Sequence, residues 1–131
     1  MANITKSEDI EIWQLARILN KEIYPFLQKL QEKRNYELNK QIERSAGSIM
    51  DNIAEGFERD GTREFIQFLA ISKASAGEVR SQLYRALDRE LINADNFDKF
   101  QSDCLLIGNK LGKFINYLNS TEIKGRKFRR T

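Results

Sequence analysis

Residues 41–70 read QIERSAGSIMDNIAEGFERDGTREFIQFLA, and the fold turns on where their apolar residues fall. Ile42, Ala46, Ile49, Ile53 and Phe57 recur at steps of three and four, the spacing of one helix face. At 100° per residue these positions and Gly56 lie within about 60° of a common direction. Arg44, Ser48, Asp51 and Glu55 take the opposite side, with Asn52 and Arg59 at its flank. Gly56 and Gly61 bracket the helix end, and Thr62 is a good N-cap for a further helix with Glu64 in its first turn. The stretch reads as a helix end, a short turn and a helix start. Asn52 and Glu55 then lie on the outer face, where a neighbouring subunit is the expected contact.

The same spacing extends in both directions. A first helix is expected over about residues 7–30, capped by Ser7 or by Thr5 with Glu8 three residues on. Its stripe is Ile12, Leu15, Ala16, Leu19, Ile23, Phe26 and Leu30. Pro25 removes an amide from it, but the stripe continues in phase, which reads as a kink rather than an end. QEKRN (31–35) is the first turn, and the second helix covers about 36–57. The third, about 62–91, carries Phe65, Leu69, Ser72, Ala76, Val79, Leu83 and Leu87. After a short INAD link the fourth, about 95–120, carries Phe97, Phe100, Cys104, Ile107, Leu111, Phe114 and Leu118. Nothing reads as a strand. Long helices with short links make an all-α, antiparallel up-and-down four-helix bundle of one domain over residues 1–123.

The net charge of +3 is unevenly spread. Residues 124–131, KGRKFRRT, hold Lys124, Arg126, Lys127, Arg129 and Arg130 and no acid, whereas the other 123 residues carry a net −2. Such a basic C-terminal tail suits a polyanion, and a merely solvated terminus is the plain alternative. No apolar run approaches 18 residues, so no membrane span is expected, and the N-terminus lacks a secretory pattern. A cytoplasmic protein without a membrane partner is the expectation.

Chemistry finds few supports. With no histidine and one cysteine, a bundle di-iron site lacks its ligands and an internal disulfide is excluded. Glu55 and Glu78 fall away from the core stripes, and Cys104 falls on one, as a small buried hydrophobe would. Gly56 and Gly61 make no phosphate loop, because no strand precedes them and no Gly-Lys-Ser/Thr follows. No catalytic residue, cofactor or metal is expected, and the chain reads as a non-enzyme.

Helix 3 carries a second stripe of Ile66, Ala70, Lys73, Gly77, Ser81 and Tyr84 beside its core stripe. Small residues there admit a close neighbour, and a helix with two non-polar stripes packs on both sides. Together with Asn52 and Glu55, this stripe is the expected oligomer interface. Basic residues offer a different reading. Lys73 with Arg80 and Arg85 with Arg89 add cations along helix 3, and the tail sets Phe128 among five more. That composition contacts phosphates and stacks on unpaired bases. The competing readings are an Arg85–Asp88 pair and Lys73 at an interface edge.

Residues 41–87 resemble the four-helix bundle proteins of the S23, or 23S rRNA intervening-sequence, family. The likeness rests on Gln41, Ile42 and Arg44, on Ser48–Phe57, on Glu64–Leu69 and on Ser75–Leu83. EIWQLA (11–16) also fits the family's start, while Met50 and Pro25 depart from its pattern. The resemblance implies a homopentameric ring without known catalytic activity. It also implies kinship with the accessory variability determinant proteins of diversity-generating retroelements, which work with a reverse transcriptase and nucleic acid. The expected partners are therefore further copies of the chain, RNA or DNA, and a reverse transcriptase or other protein. The alternative is a homo-oligomeric scaffold with no nucleic-acid role.

Overall fold

Each periodic stretch forms a helix. In the computed structural model, which describes Ser7 and residues 10–129 with side chains as far as Thr121, α1 spans Glu11–Glu32 and α2 spans Tyr36–Glu58. The remaining two are α3, Thr62–Asp88, and α4, Ala94–Arg129. Each helix packs on its chain neighbours and α4 closes back on α1, and among the described residues neither diagonal pair of backbones approaches closely. This is the cyclic order of an antiparallel up-and-down bundle. The expected stripes form the core: Leu19, Ile23, Leu30, Ile42, Ile49, Ile53, Leu69, Leu83, Ile107 and Leu111 are each below 2% exposed. Burying one such side chain contributes roughly 1.5–3 kcal/mol, so these stripes fix the fold class.

Several ends differ from the sequence expectation. Ser7 does not cap α1; it lies buried in a short 3₁₀ turn whose carbonyl accepts the Ile10 amide, and Ile10 precedes the first helical residue. Thr5 lies outside the described residues. Thr62 is likewise the first residue of α3 rather than its cap, because Gly61 takes the N-cap place with φ of +103°. α1 runs through the exposed Pro25 unbroken.

Two turns use non-glycine residues where glycine is usual. After α1, the Asn35 amide donates to the Leu30 carbonyl and the Arg34 amide to that of Gln31. After α3, Leu91 donates to Ala86 and Glu90 to Leu87. Both are Schellman closures, with Arg34 at φ 61° and Glu90 at φ 58° in the left-handed position. α4 continues past the expected end near residue 120 to Arg129, so the backbone of residues 124–129 extends the helix. Arg130 and all side chains from residue 122 onward lie outside the described residues.

α2 and α3 pack most closely, along a seam of small side chains. Ser72 donates to the Ile49 carbonyl at 2.6 Å, Ser48 and Ser75 share a hydrogen bond at 2.8 Å, and Gln82 donates to Ser45 at 3.0 Å. Gly56 closes the seam near the turn, where an added Cβ would meet Phe68 Cβ at 2.7 Å and Phe65 Cδ1 at 3.0 Å. We expect Gly56→Ala to lower the unfolding free energy by about 1–3 kcal/mol, because overpacking outweighs the better helix propensity. Gly77→Ala, whose Cβ would meet nothing within 4 Å, should raise it by about 0.5–1 kcal/mol. Urea unfolding of the two variants checks both signs.

Candidate nucleic-acid interface

The register between α3 and α4 assembles the candidate site. The two helices run antiparallel, tied by a Tyr84–Phe97 edge-to-face contact at 4.9 Å and by Gln101 donating to the Arg80 carbonyl at 2.8 Å. A second ring contact, Phe65–Phe114 at 5.6 Å, holds the other end. Between them lies a shallow groove of about 310 Å³ lined by Lys73, Gly108, Asn109, Gly112, Lys113 and Asn116. Lys73 reaches across from α3, its Cε and Nζ each 3.7 Å from where a Gly112 Cβ would stand. No lining residue is acidic, so the two ammonium groups face carboxamides and bare backbone.

Of the second stripe of α3, Lys73 lines this groove. Ala70, Lys73, Gly77, Ser81 and Tyr84 are exposed and Ile66 is half-buried. Part of the stripe is thus accounted for within one chain, since Tyr84 packs on Phe97 and Lys73 lies over Gly112. The far wall was not foreseen from sequence. Gly108, Asn109, Gly112, Lys113 and Asn116 flank the core stripe of α4, and only the register with α3 gives them a common purpose.

The expected cations of α3 do not form one surface. Arg80 turns to α4, with its Nε donating to Gln101 Oε1 at 3.3 Å, whereas Arg85 turns to α2 and donates to Gln41 Oε1. Gln41, rather than the Asp88 of the competing reading, thus accepts from Arg85. Arg89 is exposed at the end of α3. Of the five expected cations near the C-terminus, Lys124, Arg126, Lys127 and Arg129 lie on helical backbone without described side chains, and Arg130 lies outside the described residues. Along α4 the steps Asn109, Lys113, Asn116 and Ser120 keep one face.

The other expected contacts divide. Asn52 is not on the outer face: it is half-buried at the α2–α3 seam, donating to the Ser48 carbonyl at 2.8 Å and to Ser48 Oγ at 2.7 Å. Glu55 is exposed and accepts from Arg59 at 2.9 Å, while the Arg59 guanidinium lies over the Phe68 ring. Exposed pairs of this kind contribute little to stability. Cys104 is buried, and burial, with Asp103 adding, pushes its thiol up to about 12. Lys99 bridges Glu22 of α1 and Asp103, and these two hydrogen bonds hold its ammonium above the ordinary lysine value.

The profile of the 23S rRNA-intervening sequence protein family matches residues 8–113. The chain belongs to that family. It is also similar to the crystal structure of a Bacteroides thetaiotaomicron protein of unknown function from the S23 ribosomal protein family. The two are 25% identical with a TM-score of 0.76, over 79% of this chain and 97% of that one. No curated protein matches the chain. The part matched to the 23S rRNA-intervening sequence family includes Lys73, Gly108, Asn109, Gly112 and Lys113 and stops before Asn116. Among the described residues there is no metal-holding cluster and no helix long and apolar enough to cross a membrane.

Cys104 gives a pH test of the packing. The thiol is neutral in both folded and unfolded chains below about pH 9; above it the unfolded chain ionises first, so stability falls as pH rises towards about 12. We expect the urea midpoint of the wild type to drop further between about pH 7.5 and 10.5 than that of Cys104→Ala. Equal drops would show an accessible thiol.

Proposed function

We propose that the protein is a non-enzymatic, oligomeric binding protein that contacts RNA or DNA, alone or in a ribonucleoprotein. The observation that carries this reading is the α3–α4 groove, where Lys73 and Lys113 converge without an acidic neighbour in the lining. Phosphates seek such a lining, and sequence-independent affinity for nucleic acid comes from lysine and arginine replacing condensed counterions. Membership of the 23S rRNA-intervening sequence protein family agrees with a setting in which RNA is at hand. The α4 backbone runs on into the basic segment, about 20 Å from residue 113 to residue 127 at 1.5 Å per residue. In an oligomer the grooves would multiply, and weak contacts would gain through avidity.

The test is retention of a labelled oligonucleotide by the full chain as salt is raised. Affinity should fall linearly on logarithmic axes, and Lys73→Gln with Lys113→Gln should reduce the slope by about 1.4 for a single strand. Removal of residues 124–131 should reduce it further. An absence of retention at low salt overturns the proposal.

A second reading, a homo-oligomeric scaffold, has its own observation. α1 and α4 share the least extensive seam, and Ile18 and Leu106 beside it are 47–50% exposed. Ile18 and Leu106 line a shallow cleft with Leu15 and Ile107, flanked by Glu22 and Asp103. A second copy of the chain would cover these side chains, as the expected pentameric ring requires. Light scattering should then give a mass several times 15.3 kDa that Leu106→Glu reduces. A wild-type mass of one chain contradicts self-association.

A further inference from the structure

The ion pairs of α1 sort its charges by side. Glu11 pairs with Lys110 at 3.1 Å and Glu22 pairs with Lys99, so both acids turn to α4. Arg17 and Lys21 stay on the outer face, a turn apart and about 6 Å along the helix axis. Among the described residues no carboxylate pairs with either cation. Around them opens a shallow recess of about 450 Å³ lined by Trp13, Gln14, Arg17, Ile18 and Lys21, none of them acidic. Trp13 packs against the core on one side and is half-buried. The Arg17 guanidinium lies over its ring, 6.0 Å from the centroid. Two solvated cations would need neither a concave lining nor an indole beside them. A flat apolar ring next to positive charge fits a ligand that is itself a flat ring bearing a phosphate.

We infer that this recess takes an unpaired nucleotide, its base stacked against the Trp13 indole and the Arg17 guanidinium and its phosphate held by Lys21. The inference rests on the nucleic-acid reading proposed above and adds a second contact to it, across α4 from the groove. Lys113 borders the groove, and Lys110, three residues back on α4, reaches α1 through Glu11. A strand leaving the groove over the outer face of α4 therefore arrives at the recess. Aromatic rings and guanidinium planes both stack on bases, and such stacking tolerates any sequence because every base has a π-face. A duplex keeps its bases stacked inside and offers the recess phosphates alone. An acidic side chain would meet the two cations but brings no flat ring to the indole.

Trp13 is the chain's one tryptophan, so its emission reads this site and no other. A long single strand added to the full chain at low salt should quench that emission to saturation, whereas the matching duplex should not. Arg17→Gln and Lys21→Gln stand at exposed positions, and each should raise the strand concentration needed for half-quenching. Lys21→Gln should also lower the salt slope of single-strand affinity by about 0.7. Trp13→Ala should weaken single-strand binding by about 5- to 150-fold, the loss of one stacked base, while Trp13→Phe retains it. Binding of a labelled strand, read by anisotropy, with Trp13 emission unchanged overturns this inference and leaves the groove reading standing. So does equal quenching by the duplex, or a half-quenching concentration that neither Arg17→Gln nor Lys21→Gln moves. A shift of Trp13 emission with vesicles of anionic lipid and none with the strand overturns it in favour of a membrane surface. No binding of either nucleic acid at low salt overturns both readings.

Discussion

The close approach of α2 and α3 at Gly56 is the constraint on which the remaining geometry depends. A methyl group there would stand 2.7 Å from the Phe68 side chain, so only glycine lets the two backbones meet at the turn. Gly61, at φ +103°, supplies the second half of that condition by letting the chain reverse within three residues. From this end the seam runs on through Ser48, Ser75, Ser72, Ser45 and Gln82, each joined by a hydrogen bond that directs one helix onto the other. Hydrophobic burial makes the bundle. These small polar contacts set how α3 is turned within it.

The orientation of α3 decides where function can lie. With Leu69, Ser72, Ser75, Ala76, Val79 and Leu83 buried, the stripe of Ala70, Lys73 and Gly77 is left beside α4 rather than against α2. α4 answers with Gly108 and Gly112, which are too small to fill the space, so the boundary between the helices stays open as a groove. The cations of α3 are divided by the same rotation. Lys73 and Arg80 go to the α4 side, and Arg85 goes to Gln41 of α2. A chain of nearly neutral body therefore gains a local cationic surface through placement rather than through composition.

The fold class was legible because apolar burial imposes the three-and-four spacing that the sequence shows in Ile42, Ala46, Ile49 and Ile53. The termini were less so, for reasons particular to each. Arg34 and Glu90 occupy left-handed positions where glycine would have signalled the stop, and Ser7 lies in a 3₁₀ turn rather than at a cap. Asn52 was misplaced because α2 is held by α1 on one side and α3 on the other. Its buried sector is therefore wider than its apolar stripe, and polar residues at the flank become the seam. Lys73, the α3 side of the groove, was visible within a second stripe. The α4 half was not, since Gly108 and Asn109 acquire meaning only once Lys73 is known to lie over Gly112.

The central claim is that nucleic acid lies in the α3–α4 groove, and photo-crosslinking maps this most directly. The full chain would be irradiated with a single strand carrying a photoreactive base, then digested and read by mass spectrometry. The account predicts adducts concentrated in the peptides that carry Lys73 and Gly108–Asn116. Adducts confined to the outer faces of α1 and α2, with none on α3 or α4, would contradict it.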